Sequence, residues 1–237
     1  TYGLAGDGGK TMKELASRIR SAGSRPSQAD KIADVKKTVF DSAPGTQPQW
    51  DILQSLQAGV PDDTILIPDS TQIGYYSMAY WKVASRNSYI GSGYSGNLGY
   101  AFPTGLGAKV AQPDRPVVVV AGDGGFMYNV SEMATAVQHD INLVIVVFND
   151  NAFGNVGRDL DLGFGGAYGT ELHNPDFPRL ARSFGMEAMQ VKDPTKVGDS
   201  IADAIQMDKP VLIEVPVGPM PVPGFFGQRP TAPKRPE

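Results

Sequence analysis

Two apolar runs, each followed by an acidic turn and separated by one helical stretch, constrain the fold of this chain more than any other feature. Residues 117–121 form a continuous run rich in β-branched side chains, and residues 143–148 form a second apolar run. Such runs are typical of parallel strands that are covered on both faces. Residues 129–139 between them carry apolar side chains at helical spacing. We therefore predict a βαβ unit with a right-handed crossover.

An acidic residue follows each of the two predicted strands. Asp123 comes just after the first strand, and Asp150 comes just after the second. If the strands are neighbours, both carboxylates project from the carboxyl edge of the sheet, where open α/β sheets bind ligands. Gly124 and Gly125 begin the helix, so their N–H groups are free to approach an anion that the helix dipole also favours. This combination predicts a phosphate-binding turn beside two acids.

Two carboxylates next to a phosphate require a divalent cation between them. Oxygen ligands favour Mg²⁺ or Ca²⁺, and Mg²⁺ usually shares its coordination shell with substrate phosphate. The simpler alternative is a generic βαβ unit with a tight turn. The dinucleotide fingerprint does not fit the turn after residues 117–121, because its third glycine is missing.

The rest of the chain continues the alternation of apolar runs and helical stretches. Strands are predicted at residues 64–68, 88–90, 186–191 and 211–215, and helices at residues 27–40, 99–110 and 194–207. Further helices are predicted to begin near Pro48 and after the cap at residues 174–177. Residues 151–168 are rich in glycine and are predicted to form an irregular, mobile loop over the site. The fold class is α/β, with three layers and a mostly parallel sheet covered by helices on both faces.

Composition excludes several classes of function. The net charge of −4 provides no basic surface for nucleic acid or for an anionic membrane. No apolar run approaches the length of a membrane span. The chain has no cysteine, which excludes disulfides and thiolate chemistry and is compatible with the cytoplasm. We therefore expect no nucleic-acid partner, no membrane partner and a cytoplasmic location.

The central stretch resembles a known cofactor signature. Gly122-Asp123-Gly124, one helix, and then Asn149-Asp150-Asn151 closing an apolar strand resemble the motif of thiamine diphosphate enzymes. The likeness is greatest to the 2-oxoacid enzymes of the acetolactate synthase and benzoylformate decarboxylase group, and it covers residues 46–217. It implies a diphosphate-binding domain with thiamine diphosphate and Mg²⁺ as cofactors, in a lyase or transferase that acts on a 2-oxoacid.

The resemblance also implies a role for particular residues in holding the metal and the diphosphate. Asp123, Asp150 and the main-chain carbonyl of Ala152 would be the metal ligands. The usual residue at the second position is asparagine, so Asp150 adds one negative charge there. Ser70, Thr71 and Gln72 would hold the terminal phosphate, although Ser70 and Thr71 are equally typical of a helix N-cap. Ile73 departs from the histidine that usually follows this glutamine in the synthases.

The glycine-rich stretch at residues 91–111 resembles the family segment that contacts the thiamine rings. By that likeness the carbonyl of Gly96 accepts a hydrogen bond from the 4′-amino group of the cofactor. Leu98 would be the bulky residue beneath the bent cofactor, unless it is an ordinary core residue. Arg158 is a candidate for a substrate carboxylate or a solvated surface residue. The predicted cofactor-binding set is completed by Gly122, Gly124, Gly125, Phe153, Gly154 and Asn155.

The resemblance implies that part of the catalytic machinery lies on another domain. In these enzymes a glutamate on a pyrimidine-binding domain activates the cofactor, and no equivalent stretch occurs in these 237 residues. We therefore predict no catalytic residue in this chain. Residues 1–22 are interpreted as the tail of a missing upstream middle domain, residues 23–45 as a linker with a surface helix, residues 46–217 as the diphosphate-binding domain and residues 218–237 as a Pro-rich tail.

Three interpretations of the whole chain follow. It is the C-terminal piece of a decarboxylase or carboligase, the diphosphate-binding subunit of a two-chain enzyme, or a non-catalytic module that keeps the fold. Residues 1–22, interpreted as the tail of a missing domain, favour the first, and the resemblance implies a homodimer or homotetramer. FAD, which the synthases carry, is not assignable to these residues.

Overall fold

The computed structural model describes residues 3–23, 26–42 and 46–221, and the chain divides into two units, Thr1–Ser42 and Ala43–Glu237. The first unit contains helices α1 (Gly8–Ser21) and α2 (Ala29–Ser42). Asp7 caps α1 by accepting a hydrogen bond from the Lys10 N–H at 2.9 Å. Helix α2 agrees with the prediction for residues 27–40.

Within the described residues of the second unit, five parallel strands form a sheet in the order β1-β2-β3-β5-β4. Their bounds are Ile65–Pro68 (β1), Val117–Gly122 (β2), Val144–Asn149 (β3), Glu187–Gln190 (β4) and Val211–Pro216 (β5). The predicted βαβ unit is confirmed, because β2 and β3 are parallel neighbours with Gly122 paired to Phe148. Both strands therefore end at the same edge of the sheet.

Helices cover the sheet on both faces, which confirms the three-layer α/β class. Their bounds are Gln49–Ala58 (α3), Gln72–Tyr80 (α4), Ala101–Ala111 (α5), Asp123–Met127 (α6), Glu132–Gln138 (α7), Gly154–Phe164 (α8), Phe177–Phe184 (α9) and Val197–Gln206 (α10), with a 3₁₀ turn at Pro194–Lys196. Helices α5, α7 and α9 pack on one face, whereas α3, α4 and α10 pack on the other.

The alternation of side chains along the central strands divides the core into two layers. Val119 and Ile145 belong to the core under α5, and Val118 and Val146 belong to the core under α10. All four side chains are inaccessible to solvent. A strand buried on both faces has apolar residues at every position, which explains the unbroken apolar runs in the sequence.

The prediction of an irregular loop at residues 151–168 is wrong, because α8 occupies most of it. The glycines had suggested flexibility, but one of them marks a close approach instead: a Cβ on Gly157 would lie 3.0 Å from the Thr170 hydroxyl. The helix ends at Gly165, whose φ of +74° suits glycine. The side chains of Leu162 and Phe164 remain exposed.

The short strand predicted at residues 88–90 is also wrong. Only Tyr89 pairs with the sheet, as an isolated parallel bridge to Leu66. Asn87 adopts a φ of +52° immediately before this point, and a left-handed residue interrupts the extended conformation that a strand needs.

Candidate functional site

Asp123 and Asp150 meet at the carboxyl edge of the sheet. Asp123 is the first residue of α6 and is only 2% exposed, and Asp150 follows the last residue of β3. Their carboxyl groups lie within hydrogen-bonding distance of each other. Sequence reasoning had expected this proximity if the two strands proved to be neighbours, and the structure brings the carboxyls together.

The electrostatics of the pair favour a cation. Burial raises the pKa of Asp123, and burial together with the negative charge of Asp123 raises the pKa of Asp150 to about 6. No lysine or arginine in the described part of the chain forms an ion pair with either carboxyl. Two like charges at this separation are stable together only when a counter-charge lies between them or when one is protonated.

The main chain of Ala152 also faces the pair. Two main-chain hydrogen bonds of 2.8 Å tie residues 151–153 to residues 170–172, one on each side of Ala152. Because main-chain groups alternate along an extended segment, the N–H and the carbonyl of Ala152 point away from residues 170–172. The N–H donates to both Asp123 and Asp150. The carbonyl oxygen predicted as a metal ligand lies on that same side.

Three glycines near the acidic pair lie in close contact with neighbouring groups. A Cβ on Gly124 would collide with the ring of Phe153, and a Cβ on Gly154 would lie 2.5 Å from a carboxyl oxygen of Asp150. A Cβ on Gly125 would lie 3.2 Å from a carboxyl oxygen of Asp69. A side chain at any of these positions would displace a neighbouring group, and Gly124 and Gly125 keep the first turn of α6 free of side chains.

Residues 70–72 lie beside this turn. Thr71 occupies the N-cap position of α4 without making a side-chain capping bond, and a Cβ on Gly122 would lie 3.5 Å from its hydroxyl. The Gln72 amide donates to Asn155 Oδ1 at 2.5 Å. The other amide atom of Gln72, Oε1, is buried with no hydrogen-bond partner among the described residues. A buried polar atom without a partner is one that a ligand can satisfy.

The predicted ring-binding residues also lie at this edge of the sheet. The Ser70 hydroxyl donates to the carbonyl of Gly96 at 2.9 Å, so this predicted acceptor is already turned toward residues 70–72. Leu98 is half-buried rather than part of the core. Arg158 is half-buried as well; it donates to Asn155 Oδ1 at 2.9 Å and pairs with Asp159 at 3.1 Å.

Asp69 organises this region, although sequence reasoning assigned it no role. Its carboxyl is 5% exposed and accepts from the N–H of Ser70 at 2.8 Å and from the N–H of Gly99 at 2.9 Å. Burial raises its pKa. Asp69 therefore ties the end of β1 to the turn that precedes α5. Its position directly after a buried strand was the only signal available in the sequence.

Asn174 is a second residue that sequence reasoning missed. Its side-chain amide donates to Asp123 Oδ2 at 2.6 Å and to Asn149 Oδ1 at 3.0 Å. The sequence suggested only a helix cap at residues 174–177, and Asp176 makes that cap by accepting from the Arg179 N–H. Nothing in the spacing connects Asn174 to an aspartate 51 positions earlier.

The donors at this edge fit Mg²⁺ and a diphosphate. The described residues contain no cluster of three or more histidine, cysteine, aspartate or glutamate side chains that would hold a metal by itself. Two carboxylates and one carbonyl leave the remaining coordination positions to water and ligand oxygens, which is the usual environment of Mg²⁺ beside a phosphate. The N–H groups of Gly124 and Gly125 lie in the first turn of α6, where a helix leaves its N–H groups without an intrahelical acceptor.

A parallel α/β sheet with an acidic pair and a glycine turn at its carboxyl edge has the arrangement with which open α/β domains bind ligands. Residues 69–215 match the family model described as "Thiamine pyrophosphate enzyme, C-terminal TPP binding domain". The chain therefore belongs to the thiamine diphosphate (thiamine pyrophosphate) enzymes.

Individual relatives agree with this assignment. The chain is 33% identical to a probable acetolactate synthase large subunit of Methanococcus aeolicus, over 71% of this chain and 29% of that protein. It is 34% identical to a probable 2-ketoarginine decarboxylase of Pseudomonas aeruginosa, over 80% of this chain and 34% of that protein. The thiamine diphosphate-dependent 4-hydroxybenzoylformate decarboxylase of Rhodococcus jostii has a similar structure, with a TM-score of 0.65 and 29% identity over 70% of this chain and 32% of that one.

The chain spans about a third of the length of the curated relatives that it matches. These relatives include synthases and decarboxylases, which supports the assignment to the acetolactate synthase-like and decarboxylase group. Within residues 3–23, 26–42 and 46–221, no helix is long and apolar enough to cross a membrane.

Proposed function

We propose that this chain is the Mg²⁺- and thiamine diphosphate-binding part of a 2-oxoacid decarboxylase or carboligase. The observation that supports it most strongly is the contact between Asp123 and Asp150, buried at the ends of neighbouring strands, with the N–H of Ala152 donating to both. A pair of acids in that position binds a divalent cation when both are ionised.

Each residue of the site would have a simple task. Asp123, Asp150 and the carbonyl of Ala152 would coordinate Mg²⁺, and the N–H groups of Gly124 and Gly125 would contact the diphosphate. Ser70, Thr71 and Gln72 would hold the terminal phosphate, and the unpartnered Oε1 of Gln72 would accept a hydrogen bond from water or ligand. The set would be completed by Gly96, Leu98, Gly122, Phe153, Gly154 and Asn155.

The cofactor supplies the carbanion chemistry that 2-oxoacid decarboxylation requires. The residues of this chain bind and orient it, and we propose that the activating glutamate comes from a pyrimidine-binding domain. That domain would belong to the same parent polypeptide or to a partner chain, in a homodimer or homotetramer. The relatives show that the family includes both decarboxylases and synthases, and the site described above is compatible with either reaction.

Calorimetric titration with thiamine diphosphate tests this proposal. The wild-type chain is expected to bind weakly, to require Mg²⁺ and to decarboxylate no 2-oxoacid by itself. Asp123→Ala removes a ligand and should weaken Mg²⁺-dependent binding by at least about 100-fold, since even residues behind the ligands contribute 10- to 100-fold in metal sites.

Asp203→Ala is the matched control, because Asp203 is an exposed aspartate on α10. It should leave binding unchanged. Binding that persists in excess chelator, or that Asp123→Ala does not weaken, would contradict the metal assignment. Sustained decarboxylation by the purified chain would contradict the need for a further domain.

A further inference from the structure

A buried glutamate lies behind the acidic pair, on a different strand. Glu214 of β5 is 5% exposed, and both of its carboxyl oxygens accept hydrogen bonds from amide groups. The Asn149 amide donates to Oε1 at 2.8 Å, and the Gln190 amide donates to Oε2 at 2.9 Å. No lysine or arginine in the described part of the chain forms an ion pair with Glu214. When amide groups donate all the hydrogen bonds to a buried carboxylate, each amide must turn its NH₂ group toward that carboxylate.

Glu214 fixes the orientation of the Asn149 amide, and Asn149 in turn contacts Asn174. Because an ionised carboxylate only accepts, Asn149 must present its NH₂ group to Glu214 and its oxygen to the opposite side. That oxygen accepts from the main-chain N–H of Asn151 at 3.1 Å and from the amide of Asn174 at 3.0 Å. Asn149 is 8% exposed, so water does not substitute freely for these partners.

Asn174 is thereby oriented toward the acidic pair. With its NH₂ group directed to Asn149, the same group also donates to Asp123 Oδ2 at 2.6 Å. The relay therefore runs from Glu214 through Asn149 and Asn174 to Asp123, and it crosses from β5 to β3 and then to the start of α6. A donor on Oδ2 holds the carboxyl of Asp123 in one orientation.

We propose that Glu214, acting through Asn149 and Asn174, is a remote positioning residue that orients the carboxylate of Asp123 for Mg²⁺. The inference rests on the proposed function, because it concerns the same metal site. It assigns a role to three residues that lie outside the predicted ligand set. If the relay is correct, the direction of its hydrogen bonds matters more than the charge of Glu214.

The substitutions follow from that distinction. Glu214→Gln preserves the direction, because its Oε1 can accept from Asn149 while the exposed Gln190 turns its own oxygen toward the new NH₂ group. Glu214→Met has a similar size but removes the acceptor. Asn174→Ala removes the last donor. Asn142→Ala is the matched control, since Asn142 donates to the carboxyl of Asp208 at 2.9 Å on an exposed surface.

The experiment is a thiamine diphosphate titration of the full chain at a series of Mg²⁺ concentrations, combined with thermal unfolding without ligand. Asn174→Ala and Glu214→Met should raise the Mg²⁺ concentration needed for half-maximal binding by about 10- to 100-fold, as removal of groups behind metal ligands does elsewhere. Glu214→Gln and Asn142→Ala should stay within about threefold of wild type, far below that effect. At saturating Mg²⁺, cofactor affinity should recover in every variant.

A purely structural role would instead lower the unfolding temperature without changing the Mg²⁺ requirement, and that result would overturn the inference. Equal losses in Glu214→Gln and Glu214→Met would also overturn it, because charge rather than direction would then matter. If Glu214→Met does not fold, the Mg²⁺ requirements of Asn174→Ala and Asn142→Ala are compared instead, and equal requirements would overturn the inference. If the wild-type chain binds thiamine diphosphate with Mg²⁺ and every variant has the same Mg²⁺ requirement, the relay alone is refuted. A wild-type chain that shows no Mg²⁺-dependent binding refutes the proposed function and the relay together.

Discussion

At the scale of single residues, Asp150 carries the largest electrostatic consequence. The motif that this sequence resembles usually has asparagine at this position, so the aspartate adds a charge beside Asp123. Burial, and then the charge of Asp123, raises the pKa of Asp150 to about 6. In the metal-free protein this charge opposes folding, whereas at the proposed metal site it would strengthen the attraction for Mg²⁺. Under the proposed function, Asp150 would lower the stability of the metal-free protein and raise its affinity for Mg²⁺.

The pH dependence of unfolding tests this exchange. Because the folded-state pKa of Asp150 lies above its usual value, its protonation stabilises the metal-free fold fully below about pH 4, and this contribution is lost as the pH rises through about 6. Asp150→Asn removes the titration, and its amide can still accept from Ala152 and donate to Asp123. At pH 7.5, without metal, the variant should be more stable than wild type by on the order of 1 kcal/mol after allowance for solvent screening.

Thermal unfolding in chelator at pH 4 and pH 7.5 measures the effect. The advantage of Asp150→Asn should be about 2–4 °C at pH 7.5 and should disappear at pH 4. Asp62→Asn, at an exposed turn before β1, provides the control and should show no such pH-dependent difference. Equal stability of Asp150→Asn and wild type at both pH values would show that the two carboxyls do not repel each other in the free protein.

At the scale of elements, local patterns predicted those features whose cause is local. The strands β2 and β3 were predictable because burial on both faces requires an apolar residue at every position. Helix α8 was not, because its glycines indicate flexibility in sequence but serve close packing in the fold. Asp123 and Asp150 were found from the strand ends that carry them. Asn174 and Glu214 were not, because hydrogen bonds between elements far apart in sequence leave no periodic signal.

The turn that precedes α5 illustrates how backbone conformation holds an element in place. Gly99 has a φ of +79°, its N–H donates to Asp69 and its carbonyl accepts from Asn129 at 2.8 Å. A Cβ there would lie 2.7 Å from Asn129 Nδ2 and 2.8 Å from the Cβ of Tyr128. Gly99→Ala should therefore destabilise the domain by about 2 kcal/mol or more, because strain and overlap add.

Gly107→Ala is the opposite case in the adjoining helix. Gly107 lies inside α5, and a Cβ there would meet nothing within 4 Å. Gly107→Ala should stabilise the domain by about 0.5–1 kcal/mol, since alanine has a higher helix propensity than glycine. Urea unfolding of both variants measures the difference. If Gly99→Ala is as stable as wild type, the assigned conformation of the turn is wrong.

At the scale of the whole molecule, the site and both core layers belong to the second unit. Every member of the two buried clusters lies at or after Ile52, and the described residues of the first unit include no buried side chain. Hydrophobic burial is the main favourable contribution to folding, so the second unit contains the contacts that stabilise the sheet. The proposed metal ligands lie within the same unit, at the ends of its central strands.

A shortened chain that begins at Thr46 tests this division. It lacks α1 and α2 but keeps α3, whose Ile52, Leu53 and Leu56 are at most 1% exposed. We expect its unfolding temperature to lie within about 3 °C of the full chain, because no fully buried side chain of the described region is lost. Mg²⁺-dependent binding of thiamine diphosphate should be unchanged, because no proposed ligand has been removed.

A second shortened chain, beginning at Thr64, shows what loss of core contacts does. It lacks α3, and each of the three buried aliphatic side chains removed contributes about 2–5 kcal/mol when deleted from a core. Their sum approaches or exceeds the stability of an ordinary domain, so this chain should not unfold cooperatively. Circular dichroism during heating shows whether each of the two shortened chains unfolds cooperatively. If the chain from Thr46 loses its cooperative transition, the first unit contributes to the fold of the second, and the division at residue 42 does not describe how the protein folds.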